Sequence, residues 1–337
     1  VVTQAGNTGL VGGGVPRPDA DGPAIVLSLR RLDRIGGLDA SSMHVTAGAG
    51  LTIAEWQRTA RVGGFDTPVD FAARDSATVG GAIATNAGGS RVVRFGTMRQ
   101  QVVGVEAVLA DGTVVGSLSD LPKETVGLHW PSVLAGSEGT LAVITAARLR
   151  LVPRFEYVTT MLVALDDLGA ALTLLAALRR RVDSLDSIEV IFPEAIQLVA
   201  LHLGADAPVD VAASGVALLI ECADHVDPTA DLHDALADIT GIASTAIATE
   251  GPRRQGLLAF RDRITEAIAA AATSSGTPTF KLDVAVPVAA IGGLLDAAHR
   301  AAAQQRARLI PFGHLAEGNI HLNFLDTTAP DDIADAV

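Results

Sequence analysis

The sequence predicts an α+β protein built from two domains. Three observations carry that reading. The chain has 337 residues, more than one hydrophobic core ordinarily serves. Its first half holds short apolar runs punctuated by glycine, the pattern of strands and turns. Its second half alternates helix-length periodic segments with strand-like runs. The texture changes near Pro153, so domains are expected at 1–152 and 153–337.

In the first half, residues 24–29, 43–47, 102–109 and 141–151 read as strands. In the second, 166–181 predicts a helix with Asp166 or Asp167 as N-cap and three arginines in its last turn. Residues 217–221 read as a buried strand, and 227–239 and 252–272 as helices. Residues 279–286 alternate as a strand, and 287–306 read as a helix with proline in its first turn. Two strands, 309–314 and 320–324, then frame the turn 315-LAEGN-319. This order predicts helices layered on one face of a sheet.

Composition narrows the partners. The formal net charge of −13 argues against a nucleic-acid backbone, but it leaves room for an anionic substrate held by a few local cations. The single cysteine, Cys222, excludes a disulfide framework and points to a reducing cytoplasm. No apolar run reaches the roughly 18 residues that span a bilayer, and no signal peptide is visible. Both ends read as interior to a longer protein. Val1 runs straight into a glycine loop, and 331-DDIADAV-337 opens a helix without a stop signal.

Three glycine clusters dominate the first half: 6-GNTGLVGGG-14, 80-GGAIATNAGG-89 and 136-GSEGTLAVIT-145. Glycine allows close backbone approach, and successive N–H groups in such turns form anion nests suited to a pyrophosphate. Thr8, Thr85, Ser137 and Thr140 add hydroxyl donors. Ordinary turns of a glycine-rich protein are the alternative. No Walker A motif is present, and 48-GAGLTIAEW-56 lacks the third glycine of a Rossmann fingerprint. It reads as the start of a helix capped by Thr52.

The second half holds two polar constellations. In 260-FRDRITEAI-268, Arg261 and Thr265 are four apart and would share one helix face, where an arginine fork can hold a carboxylate. A solvated helix with ordinary ion pairs is the alternative. In 313-GHLAEGNIHLNF-324, His314 and His321 lie on opposite arms of a tight hairpin, so their rings could converge on one ion. A hairpin with hydrogen-bonded histidines is the alternative. Glu317 is a further oxygen donor in the turn, and Asn323 shares a strand face with His321. Of the other histidines, His44, His202, His225, His233 and His299 look structural, while His129 lies in the loop before the third glycine cluster, and Glu189 and Glu221 stand as single acids in apolar strands.

Taken together, 3-TQAGNTGLVGGGVP-16, 66-DTPVDFAARDSATVGGAIATNAGG-89, 94-RFGT-97, 106-EAVLADGTVV-115 and 136-GSEGTLAVIT-145 resemble the PCMH-type FAD-binding domain of the vanillyl-alcohol-oxidase superfamily, in its D-2-hydroxyacid dehydrogenase branch. The resemblance covers nearly the whole chain. It implies an α+β fold with a two-subdomain FAD-binding domain followed by a ferredoxin-like substrate cap. It implies that Gly6, Asn7, Thr8, Gly9, Leu10, Pro68, Asp75, Thr78, Gly80, Gly81, Thr85, Asn86, Gly88, Gly89, Gly136, Glu138, Gly139 and Ile144 contact FAD. The first loop has no histidine, so the FAD is expected to be non-covalent.

The same resemblance implies substrate contacts from Arg261, Thr265, Lys281 (in 281-KLDVAVP-287) and Asn323, and metal ligation by His314 and His321. The family motif G-H-x-G-D-G-N-x-H appears here as G-H-L-A-E-G-N-I-H, with Ala316 and Glu317 as departures in the turn. A third ligand and the catalytic base are expected beyond Val337. The implied activity is oxidation of a D-2-hydroxy acid with hydride passing to flavin N5, assisted by a divalent metal, zinc by preference. The implied partner is an electron acceptor: an electron-transfer flavoprotein, a quinone or a cytochrome. A homodimer and peripheral membrane association are compatible with it. Two rival functions stand beside this: an oxidase of the same flavin fold acting on another alcohol, and a non-catalytic flavoprotein subunit of a larger complex.

Overall fold

The computed structural model describes residues 1–9, 11–17, 22–119, 121, 123–210, 215–327 and 329–337. They form two compact units, Val1–Arg154 and Phe155–Val337.

The first unit opens with β1 (Val2–Gln4) and β2 (Val26–Ser28), a parallel pair. It continues through β3 (His44–Gly48), α1 (Ile53–Val62), β4 (Phe65–Asp66), α2 (Val79–Ala84), α3 (Val92–Phe95) and α4 (Met98–Gln101). It closes with β5 (Val102–Val108), β6 (Val114–Ser117), α5 (Trp130–Leu134), β7 (Val143–Arg150) and β8 (Val152–Pro153). The main sheet is antiparallel in the order β3-β7-β5-β6. Thr52 caps α1 as its sequence predicts: its side chain accepts from the Glu55 N–H at 3.1 Å, satisfying a donor that the first helical turn leaves open. The helix then buries Ile53, Trp56 and Ala60 in the core with Val45, Val105, Ile144 and Leu149.

The second unit runs β9 (Tyr157–Leu165), α6 (Leu168–Arg181), β10 (Leu185–Ile191), α7 (Pro193–Leu203), β11 (Val216–Asp224), α8 (Thr229–Leu236) and β12 (Ile242–Ala248). It then adds α9 (Gly251–Asp262), α10 (Ile264–Ser275), β13 (Phe280–Ala285), α11 (Ile291–Gln304), β14 (Arg308–His314), β15 (Asn319–Leu325) and α12 (Pro330–Ala336). One seven-stranded antiparallel sheet results, in the order β12-β9-β11-β10-β14-β15-β13. Its first four strands, β9 to β12, take the interleaved order of a ferredoxin-like unit, and β14, β15 and β13 extend it. Asp167 is the N-cap of α6, accepting from Ala170 N–H at 2.8 Å.

Two expectations are corrected. Helices cover both faces of this sheet rather than one. On one face α7, α9 and α10 pack over Leu162, Ala164, Ile191, Leu219 and Phe312. The alternate residues Met161, Val163, Ile220 and Leu322 are equally buried, and α6 and α11 contact the strands that carry them. Strands apolar at successive positions need cover on both sides. The segment 252–272 is also two helices, because the chain bends at Arg263 (φ −91, ψ 0). The bend lets Leu257 and Phe260 of α9, and Ile264, Ala267 and Ile268 of α10, reach the same core.

Candidate active site

In the first unit the candidate site is made mostly of backbone. Asn7, Asn86 and Glu138 adopt left-handed conformations (φ 52, 50 and 51), one in each glycine cluster. Side chains rarely take this region, and such residues gather at functional loops. The clusters are interlocked. A Cβ on Gly6 would lie 2.2 Å from Ser76 O, so the first loop lies hard against the chain entering α2. Glu138 N–H donates to Ala84 O (2.8 Å) and Gly136 N–H to Ile83 O (3.0 Å), tying the third cluster to the second. A Cβ on Gly13 would lie 3.8 Å from Glu138 Oε2, which brings the first cluster to the third.

Arg99 is the organiser that sequence reading missed. Its main-chain N–H donates to Asn86 Oδ1 (3.0 Å), and its guanidinium donates to the carbonyls of Ser132 and Ala135. It fixes both the left-handed Asn86 and the approach to Gly136. Asn86 Oδ1 also accepts from Thr97 Oγ1 (2.9 Å), so this side chain shapes the loop from within. Thr78 is the N-cap of α2, Thr85 closes that helix, Pro68 and Ile144 are buried, and Asp75 is exposed. Leu10 lies outside the described residues.

The clusters have unmet polar groups that suit an anionic ligand. Ser137 Oγ is buried without a hydrogen-bond partner among the described residues. Among the same residues, the main-chain N–H groups of Asn7, Thr8, Gly9, Gly88 and Gly89 have no protein acceptor. Left-handed turns with free N–H groups are what a pyrophosphate requires.

In the second unit the site is made of side chains, aligned by strand register. Glu189 on β10 lies opposite His314 on β14. One pair further along, Phe312 lies opposite His321, which in turn lies opposite Asp283 on β13. The next row sets Asn323 opposite Lys281. The pleat points alternate residues the same way, so all of these share one face. The predicted histidines do converge, with ring centroids 5.3 Å apart and nearly perpendicular.

Each ring is held by a carboxylate. His314 Nδ1 is 2.6 Å from Glu189 Oε1, and His321 Nδ1 is 3.1 Å from Asp283 Oδ1. Asn319 Nδ2 also donates to Asp283 Oδ1 (2.7 Å). Glu189 Oε2 accepts from Arg261 Nε at 2.6 Å, and the guanidinium carbon lies 4.8 Å from the centre of the Phe312 ring. Glu189 is fully buried. Burial raises its pKa, but the adjacent Arg261 and His314 outweigh that and hold it down at about 2. The Asp283 carboxyl is also held low, chiefly by its hydrogen bond from His321. Glu317 is held above the usual range, mainly by burial.

The other predicted contacts divide. Lys281 is exposed on this face and has no ion-pair partner among the described residues. Asn323 is buried, its Nδ2 donating to Ile310 O (3.2 Å). Thr265 is exposed on α10, beyond the bend, so it does not continue the helix face of Arg261. Arg263 pairs with Glu266 instead, and Glu266 also meets His202. No group of three His, Cys, Asp or Glu suited to a metal occurs among the described residues. The two histidines do fit part of such a donor set, because their Nδ1 atoms face carboxylates and Nε2 remains to ligate.

Residues 1–117 match the FAD binding domain family, and residues 154–337 match the C-terminal domain of FAD linked oxidases. A D-2-hydroxyglutarate dehydrogenase of Xanthomonas citri pv. viticola is 32% identical over 343 residues, covering 100% of this chain and 70% of that protein. The mitochondrial D-2-hydroxyglutarate dehydrogenase of Bos taurus is 32% identical over 95% of this chain, and the chain spans 58% of its length. A solved alkyldihydroxyacetonephosphate synthase shares the fold, with a TM-score of 0.76 over 99% of this chain and 66% of that one, at 17% identity. Glycine loops with unmet donors, then a sheet face of histidines and cations, fall in the order of these two family domains, and the chain belongs to the FAD-linked oxidases.

Proposed function

We propose that this chain is the flavin- and substrate-binding part of a D-2-hydroxyacid dehydrogenase. One observation carries the reading: Lys281, His314 and His321 lie on one face of the sheet, and Arg261 of α9 meets Glu189 on that same face. A 2-hydroxy acid asks for such a set, a cation for its carboxylate and a polarising group at its hydroxyl.

FAD bound at the glycine clusters supplies the two-electron acceptor for the substrate carbon. The free N–H groups around Gly9 and Gly88, with Ser137 Oγ, bind its pyrophosphate, and no histidine is available in the first loop for a covalent link. Arg261 and Lys281 hold the carboxylate. His314 and His321 would hold a divalent metal, zinc by ligand type, whose chemistry is to acidify the bound hydroxyl. Asn323 and Thr265 are assigned to substrate contact through the family motif alone. None of the described residues is assigned as the base. Similarity to D-2-hydroxyglutarate dehydrogenases favours D-2-hydroxyglutarate, with Arg261 as the anchor of one of its two carboxylates.

The test uses the full-length protein. Loss of flavin colour under anaerobic conditions is followed with D-2-hydroxyglutarate, D-lactate, glycolate and the L-enantiomers, before and after EDTA. Reduction by a D-2-hydroxy acid, abolished by EDTA and restored by zinc, is expected. Reduction only by unrelated alcohols would overturn the substrate class. Full activity in metal-free protein would remove the metal from the reading.

A further inference from the structure

Glu189 is the most confined charge in the second unit. Its side chain is 3% exposed, and it sits mid-strand beside Leu219 of β11, in the layer of Leu162, Ile191 and Phe312. A carboxylate there survives only with both oxygens satisfied. Both are. Oε1 meets His314 Nδ1 and Oε2 meets Arg261 Nε, each at 2.6 Å.

The choice of atoms is informative. A carboxylate whose purpose was to neutralise arginine would take the terminal fork in two parallel bonds. Glu189 takes only Nε. Among the described residues, both Nη groups of Arg261 are left without a hydrogen-bond partner, although that side chain is only 17% exposed. The histidine shows the same asymmetry. An ionised carboxylate only accepts, so His314 must carry its proton on Nδ1, and the Nε2 lone pair is turned away. One buried group therefore holds the inner nitrogen of two side chains and leaves the outer nitrogens of both free.

We propose that Glu189 is a positioning residue that sets Arg261 and His314 in one frame, so that the carboxylate-binding fork and the metal-facing imidazole are registered to each other. This rests on the function proposed above. Asp283 does the equivalent for His321 alone, but at 63% exposure, where water can substitute for it. Glu189 has no such substitute.

The experiment uses full-length holoprotein with Glu189→Gln and Glu189→Asp, both checked for flavin content and circular dichroism. Glutamine has the same shape but offers one acceptor and one NH2 group, so it can keep both contacts only if His314 moves its proton to Nε2, the nitrogen that would ligate. Aspartate keeps the charge and cannot reach both partners. Expected for Glu189→Gln are zinc affinity weaker by at least about tenfold, a comparable rise in KM, and loss of the single Nδ1–H tautomer of His314 in 15N-histidine NMR. Glu189→Asp is expected to recover flavin content but not zinc affinity. Zinc affinity and KM both within about twofold of wild type in a folded Glu189→Gln protein would overturn the proposal. The wild-type spectrum decides without any variant: a neutral His314 ring protonated at Nε2 and not at Nδ1 overturns it, even in a protein that folds poorly when altered. That measurement is made without metal or substrate. A protein that binds no zinc but shows the Nδ1–H tautomer and loses it in Glu189→Gln therefore refutes the metal reading and keeps the positioning role.

Discussion

The two units build their sites from opposite materials. The first uses main-chain N–H groups presented by left-handed turns, with few side chains directed at the ligand. The second uses imidazole, guanidinium and carboxylate groups set in rows by strand register. Under the proposed function, the difference follows from what each would hold. A pyrophosphate is large, diffuse and satisfied by many weak donors. A reacting hydroxy acid needs few groups in fixed geometry, so each must be braced from behind. The backbone site should therefore break where the chain is forced to take a side chain, and the side-chain site where a brace is removed.

The largest effect is expected at the buried brace. Glu189→Ala leaves the largely buried Arg261 guanidinium without its counter-charge and His314 Nδ1 without its acceptor. Breaking a buried pair in this way costs about 3–5 kcal/mol, and chemical denaturation of the second unit should show it. A loss under about 1 kcal/mol would mean that water enters and satisfies Arg261. In the backbone site, Gly89→Ala should follow. Gly89 sits at φ 110, and a Cβ there would lie 2.1 Å from Asp70 O. Flavin affinity should fall by at least about tenfold, or 1.4 kcal/mol, read by flavin retention on dilution. Unchanged retention would remove the second glycine cluster from the cofactor site. The smallest effect is expected at Asp283→Ala. Its carboxylate is 63% exposed beside His321, so stability should move by no more than about 1 kcal/mol. A loss as large as that at Glu189 would erase the distinction between a buried and an exposed brace.

These regions also differ in how far they can be read from sequence. The glycine clusters are visible because glycine is itself the signal for the backbone they require. Thr52 was readable as a cap because T-x-x-E is a local pattern. The convergence of His314 and His321 was readable because a short hairpin leaves them little alternative. Arg99 and Glu189 were not readable. Arg99 acts through carbonyls 33 and 36 residues away, and Glu189 is 125 residues from His314 and 72 from Arg261. A signal existed for Glu189, since a lone acid in an all-apolar strand must have a partner, but nothing local names that partner. The bend at Arg263 was hidden for a similar reason. No glycine or proline marks it, and only the demand of α9 and α10 for the same core produces it.

By itself, then, the sequence determined what is local: the glycine loops that must turn left-handed, the caps, the alternating strands and the histidine hairpin. Each is settled by sterics or hydrogen bonding within a few residues. The tertiary structure alone decided the partnerships: both sheet faces covered, α9 parted from α10, and one buried carboxylate shared between Arg261 and His314. Those depend on which distant strands pair and in what register, and a one-residue slip would turn Glu189 to the other face of the sheet.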